Sequence, residues 1–442
     1  EDLVWLQKAM DKKDPGQGTL FVTSIVSLEA EKEKAFKAFK AFTELTGEVT
    51  HAKLALTALA LNAKKFDEAK AAIEPLLNSK KTEDQERAHL LYSKALVGLG
   101  QKQQALESLA PYYKTSKNRE LKLEYARLLI VNDQTAKALT IYQELSQTYP
   151  NNSDVFYTLG LLHLEKKQFK AALPILQHLT ELPGRRAEGY YFLGEAYEGL
   201  EQFDKALEAY QQAMSKGFQS EAQIRIVGLI KDTQGVDAAL DYLRTQHDKL
   251  SNNDDRFQAY MLEGSLFFDE KRYQEALQAY TASKIVKPEE NIDRLYAESL
   301  VYTAMQEIPK AETNLRQILQ TEPKNASALN ALGYTLALHT ERWDEAKKLI
   351  EQALEIRPDD PAITDSLAWV EYRLGNLQRA EALLRKAYKN LPDPEVAAHL
   401  IEVLFRAGKK TEAQTMLNKE LGKHPNDDHL KAMQDKLIGG LQ

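Results

Sequence analysis

A small residue, an aromatic or aliphatic side chain nine positions later and an alanine twelve positions later recur together along this chain, at a period of about 34 residues. In "GYYFLGEAYEGLEQFDKALEAYQQA" they are Gly194, Phe203 and Ala206, with Ala213 one turn further. Upstream, Gly160 is followed by Phe169 and Ala172, and Ala126 by Ala138, Tyr142 and Pro150. Downstream, Gly264 leads to Tyr273, Ala276, Tyr280 and Pro288, Ser299 to Ile308, Ala311 and Pro323, and Ala368 to Leu377, Ala380, Ala387 and Pro392. After Gly333 the partners Trp343, Ala346, Ala353 and Pro358 arrive one residue late, as if one residue were inserted in "LHTER". Weaker copies start at Thr57, Ser93, Gly228 and Ile401, and a degenerate one at Thr23, so the pattern predicts about eleven to twelve units.

Each unit reads as two helices. Tyr190, Leu193, Gly194 and Tyr197 form one stripe at helical spacing. Gly194 is small so that the second helix can come close, with Ala206 and Ala213 as its small counterparts there, while Phe203 and Tyr210 are expected to fill the space between neighbouring pairs. Proline about 24 positions past the anchor ends the second helix, because it cannot continue the hydrogen-bond ladder. One such pair cannot bury its apolar face alone, and stacked neighbours can. The chain has 442 residues, beyond what a single core usually fills, and its Gly (20) and Pro (14) are scarce enough to punctuate helices. An all-α array follows.

Several function classes are disfavoured. With 58 basic and 65 acidic residues the net charge is −7, and no basic block stands out, so nucleic acid is not the expected partner. Without cysteine there is no disulfide framework, thiolate site or cysteine nucleophile, which suits cytoplasm and periplasm alike. The apolar stretch "LALTALAL", Leu54 to Leu61, falls short of the roughly 20 residues of a membrane span. The nine histidines are scattered, and His424 and His429 in "HPNDDH" lack a third ligand at metal-site spacing. No HExxH, phosphate-binding glycine loop or GxSxG occurs, so neither enzyme activity nor a cofactor is expected. The chain starts at Glu1, which leads us to expect a processed or more extended natural N-terminus.

On these phased copies the sequence resembles the tetratricopeptide repeat (TPR) family. The resemblance implies an all-α TPR superhelical solenoid of helix-turn-helix repeats. Residues 1–50 are expected to form an N-terminal helical region with a possible degenerate repeat, 51–425 the array and 426–442 a capping helix. In "EKEKAFKAFKAF", Phe36, Phe39 and Phe42 are read as packing in that first repeat in preference to lying on a membrane surface. The family recognises proteins mainly through the inner face, lined by the first helix of each pair at offsets −6, −3, +1, +4 and +5 from the small anchor. Around Gly160 and Gly194 that stripe is acidic over aromatic floors, with Asp154, Tyr157, Glu165, Glu188, Tyr191, Glu195 and Glu198. Further on come Met261, Phe268, Tyr296 and Leu300, then Asn330, Tyr334, Trp369, Tyr372 and Arg373. Exposed Tyr and Trp commonly anchor partners, and Tyr191, Tyr334 and Trp369 are expected to be open, whereas Trp343 is phased for packing. No repeat pairs a Lys at −3 with an Asn at +1, the arrangement with which chaperone-binding members hold a C-terminal carboxylate.

Within Asn330 to Ala413, "RPDDPAITDSLAWVEYRLGN" and "PDPEVAAHLIEVLFRAG" are similar to the closing repeats of proteobacterial outer-membrane TPR lipoproteins. The best-understood members of that group are adaptors of a periplasmic carboxyl-terminal processing protease. The resemblance implies a non-enzymatic scaffold, periplasmic and attached to the outer membrane only through a lipid anchor upstream of this chain. Its partners would be the protease and its substrates, notably peptidoglycan cross-link hydrolases. An assembly factor for a secretin or envelope polysaccharide exporter is the alternative. A regulatory arm of a glycosyltransferase is a further one, which the terminal "DKLIGGLQ" argues against.

Overall fold

The computed structural model describes residues 50–247, 249–250, 252–289 and 291–438, together with Phe36 and Lys40. Of the N-terminal region expected over residues 1–50, almost all lies outside the described residues. Among those described there are twenty-three α-helices and no strand. Eleven pairs follow one another: α1 (Thr50–Asn62) and α2 (Phe66–Ile73), α3 (Thr82–Gly98) and α4 (Lys102–Leu109), α5 (Arg119–Val131) and α6 (Thr135–Thr148), α7 (Ser153–Glu165) and α8 (Phe169–Glu181), α9 (Arg186–Glu198) and α10 (Phe203–Ser215), α11 (Gln219–Gln234) and α12 (Val236–His247), α13 (Asn253–Asp269) and α14 (Tyr273–Val286), α15 (Ile292–Ala304) and α16 (Ile308–Thr321), α17 (Ala326–His339) and α18 (Trp343–Ile356), α19 (Pro361–Arg373) and α20 (Leu377–Asn390), α21 (Pro394–Arg406) and α22 (Lys410–Lys423). A last helix, α23 (Asp428–Ile438), stands where the cap is expected. Two compact units divide between Ala222 and Gln223, inside α11.

The small anchors do what their size requires. A Cβ on Gly160 would stand 2.5 Å from Leu176, one on Gly194 2.6 Å from the Tyr210 ring, one on Gly264 2.3 Å from Tyr280, and one on Gly333 2.5 Å from Ile350. Ala126, Ser299, Ala368 and Ile401 are buried at the same position. Tyr210 is thus a packing residue within its own pair, contrary to the role expected of it between pairs, and Phe203 is 38% exposed. That role belongs to Phe66, packed on Gly98, and to Phe169, packed on Gly199 at the end of the next pair's first helix. Gly228 is different: a Cβ there would meet nothing within 4 Å. Its neighbours Val227 and Ile226 carry the burial in α11.

Local chemistry fixes the helix ends. Asn118, Asn152, Asn252, Asn291, Asn325, Asp360 and Asp393 cap first helices by accepting from backbone N–H groups of the first turn. Within a pair the turn uses a left-handed residue, such as Lys167 (φ 54°), Glu201 (φ 58°) or Gly375 (φ 84°), and Gln168 N–H donates back to His163 O at 2.8 Å. The α17–α18 turn lacks a positive φ; Thr340 Oγ1 donates to Leu336 O at 2.6 Å and accepts from Arg342 N–H at 3.1 Å. That hydroxyl-built turn accommodates the extra residue read in "LHTER". Pro150, Pro288, Pro323, Pro358, Pro392 and Pro425 each fall just beyond the end of a second helix, as expected.

The two glycines make opposite predictions. Gly194→Val is expected to lower stability by about 1–3 kcal/mol through overpacking against Tyr210, and Gly228→Ala to raise it by about 0.5–1 kcal/mol through helix propensity. Urea unfolding followed by far-UV circular dichroism checks both signs.

Candidate protein-binding face

In the first unit the first-helix stripe of α7 and α9 forms a continuous aromatic run. Tyr157 meets Phe192 edge-on with centroids 5.6 Å apart, and Tyr191 is bracketed by Phe192 at 5.3 Å, Tyr210 at 5.5 Å and Phe218 at 4.8 Å. Both tyrosines are half-buried, so they form the floor and do not project as free anchors. The Arg185 guanidinium lies 4.2 Å from the Tyr157 centroid, held by Asp154 at 2.7 Å and Glu188 at 3.4 Å. Glu198 accepts from the Tyr210 hydroxyl at 2.8 Å, Glu195 is half-buried, and Glu165 is exposed. The face is therefore acidic at its rim and aromatic at its base.

In the second unit the middle residues are semi-open. Met261, Phe268 and Tyr296 are half-buried, and Leu300 is 40% exposed. The Met261 sulfur receives the Ser283 hydroxyl at 3.8 Å, and Phe268 lies 5.8 Å from the Tyr273 ring.

The C-terminal anchors are not open. Trp369 is 6% exposed, its ring centroid 4.3 Å from that of His399 at a tilt of 31°, and its Nε1 has no hydrogen-bond partner among the described residues. The Tyr334 hydroxyl donates to Glu395 Oε1 at 3.0 Å and lies 3.4 Å from His399 Nε2. His399 Nδ1 is 3.0 Å from both oxygens of Asp365, and the Tyr372 hydroxyl donates to Glu402 Oε1 at 3.0 Å. Asn330 Oδ1 is buried without a hydrogen-bond partner among the described residues. Burial, Glu395 and Asp365 push the Tyr334 hydroxyl far above its usual range. Only Arg373 is exposed, with its guanidinium 5.4 Å from the half-buried Trp343 ring. The expectation of an open C-terminal groove at Tyr334 and Trp369 is thus corrected: the first helices α17, α19 and α21 converge, and these side chains bind one another. His399, Asp365, Glu395 and Glu402 were missed, although Asp365, Glu395 and Glu402 stand at stripe offsets of their own repeats.

A tandem array of helix pairs closed on small residues defines a helical-repeat scaffold. Models of the tetratricopeptide repeat match residues 120–152, 187–216, 324–393 and 366–428. Tetratricopeptide repeats are thus present over these stretches of the chain. Over 198 residues, 45% of its length, it is 37% identical to the TPR repeat-containing protein PA4667 of Pseudomonas aeruginosa, of which the match covers 33%. Over 115 residues it is 31% identical to bacteriophage adsorption protein A of Escherichia coli, covering 25% of this chain and 11% of that one. The matches therefore span a third or less of these curated relatives. A tetratricopeptide repeat protein of Parabacteroides merdae is similar in structure with a TM-score of 0.46 and 18% identity, over 57% of this chain and 98% of that one.

The buried histidine gives a pH prediction. Burial opposes its charge, but Asp365, Glu395 and Glu402 outweigh that and raise its pKa above 6.5. Its stabilising contribution is complete below the unfolded value and is lost as pH rises through the folded one. The stability gap between the wild type and His399→Gln should therefore be larger at pH 5.5 than at pH 8.5, as read by denaturant titration at each pH.

Proposed function

We propose that this protein is a non-enzymatic scaffold that holds a basic protein segment along the first helices α7 and α9. The observation that carries the reading is the pairing of an aromatic floor, Tyr157–Phe192–Tyr191–Phe218, with Glu165, Glu188, Glu195 and Glu198 at the same face. Aromatic surfaces give contact area at low entropic cost, and the acidic rim selects and steers cationic partners.

At the finer level the scaffold acts as adaptor of a carboxyl-terminal processing protease in the periplasm, held at the outer membrane by a lipid anchor, and presents cell-wall hydrolases to it. The similarity of the segments between Asn330 and Ala413 to closing repeats of such lipoproteins supports this. The mechanism needs no chemistry from the scaffold: holding client and protease together raises the effective concentration of one for the other.

A reconstituted assay with the full chain, the protease and a cell-wall hydrolase tests both levels. Glu165→Lys/Glu195→Lys should slow client degradation about tenfold and flatten its salt dependence, while the protease remains bound. Wild-type rates in that variant would remove the α7–α9 face from the model. Failure of the protease to bind the unmodified chain would remove the adaptor role, and co-purification with secretin or polysaccharide-export components would then assign an assembly factor.

A further inference from the structure

The last two helix pairs carry a second concavity, on their second helices. It is an open groove of about 720 Å³ between α20 and α22. Its floor is apolar, made by the Tyr388 ring, Leu400 from α21 beneath, and Met416. Burial and the neighbouring Glu420 push the Tyr388 hydroxyl up to about 12, so that ring stays neutral at any physiological pH.

The charged residues lining the groove are Arg385, Lys389 and Lys419 against the one acid Glu412, so its rim is net positive. Arg385 is neutralised by Glu381 at 2.9 Å and Glu412 at 2.6 Å. Nearby Lys386 pairs with Asp359 at 3.5 Å and Lys423 with Glu420 at 2.8 Å. Lys389 and Lys419, one on each wall, are exposed and take no ion pair among the described residues. A protein of net charge −7 thus places two exposed lysines, one on each side of an apolar trough.

We propose that this groove is a docking site for an acidic amphipathic helix of a partner protein. Both walls are helices of 14 residues, about 21 Å long, which is the span of a helix of four turns laid between them. Apolar side chains at i, i+3 and i+4 reach Leu400 and Met416, whose flexible thioether adapts to their shape. Carboxylates on the flanks of the same helix meet Lys389 and Lys419. None of these residues lies on the α7–α9 face, so the site is a second work surface beyond the function proposed above.

The probe is a synthetic 14-residue peptide with Leu at helical i, i+3, i+4 and i+7 spacing and Glu on its flanks, compared with the same peptide carrying Lys for Glu. Isothermal titration of the full chain should show the acidic peptide binding at least tenfold more tightly than the basic one. Lys389→Glu/Lys419→Glu, both exposed and expected to leave the helical circular dichroism unchanged, should cancel or invert that preference. Because the chain has no cysteine, Thr415→Cys labelled with acrylodan offers one fluorophore at the groove, whose emission should shift to the blue on binding. Equal affinity for the two peptides, or unchanged affinity in the double-lysine variant, would overturn the proposal. A concentration-dependent dimer in sedimentation velocity that disappears in that variant would do so too, by giving the groove to a second copy. The Glu165→Lys/Glu195→Lys variant should retain acidic-peptide binding, which separates this site from the client face.

Discussion

The contact on which the structure depends is the one between small residues inside each helix pair. The alanine of every second helix, from Ala69 and Ala105 through to Ala380 and Ala413, is completely buried. Opposite it stands a Gly, Ala, Ser or Thr in most pairs, and the two helices approach until the next large side chain of the second helix, such as Tyr210, Tyr280 or Ile350, lies on the glycine backbone. That proximity leaves each pair thin and apolar on both flanks, so a pair is stable only with neighbours. The hydrophobic clusters accordingly run through several successive pairs, as from Leu96 to Leu162 and from Leu295 to Val370, with no single centre.

Because this contact depends on residue size at fixed spacing, it was legible in the sequence. The eleven pairs, the terminal helix, the proline stops and the extra residue near Thr340 could all be read from single positions. The sequence misled where one letter had two possible causes. Gly228 matched the anchor pattern, yet its missing side chain serves no close approach, and only the packing of Val227 and Ile226 reveals this. Tyr210 and Phe203 likewise looked interchangeable as fillers between pairs, whereas one is sealed inside its pair and the other is partly open.

The binding face was legible as a set of positions and not as a set of exposures. Offsets from an anchor treat each first helix alone, and they assign Tyr157, Tyr191, Glu195 and Glu198 to one stripe. They carry no information on how closely the next first helix follows. Where α17, α19 and α21 converge, Tyr334 reaches residues 61 and 65 positions away, and Trp369 is covered by a histidine two positions before the Ile401 anchor. That spacing between repeats depends on many packing residues at once, so no local pattern announces it.

The same convergence decides which surfaces remain for partners. A buried network of Asp365, His399, Glu395 and Tyr334 is favourable only while its hydrogen bonds keep their geometry, since a buried polar group left unpaired costs about 1–3 kcal/mol. The network links three first helices and therefore resists any change of angle between their pairs. A first-helix face committed to such internal bonding offers fewer free polar groups to a peptide. In α7 and α9, Asp154 and Glu165 are exposed and Glu188, Glu195 and Glu198 half-buried, beside rings that pack among themselves. The C-terminal repeats bury Asp365, Glu371 and Glu402 and leave Lys389 and Lys419 exposed on the second helices α20 and α22, so the placement of carboxylates differs between the two stretches of the array.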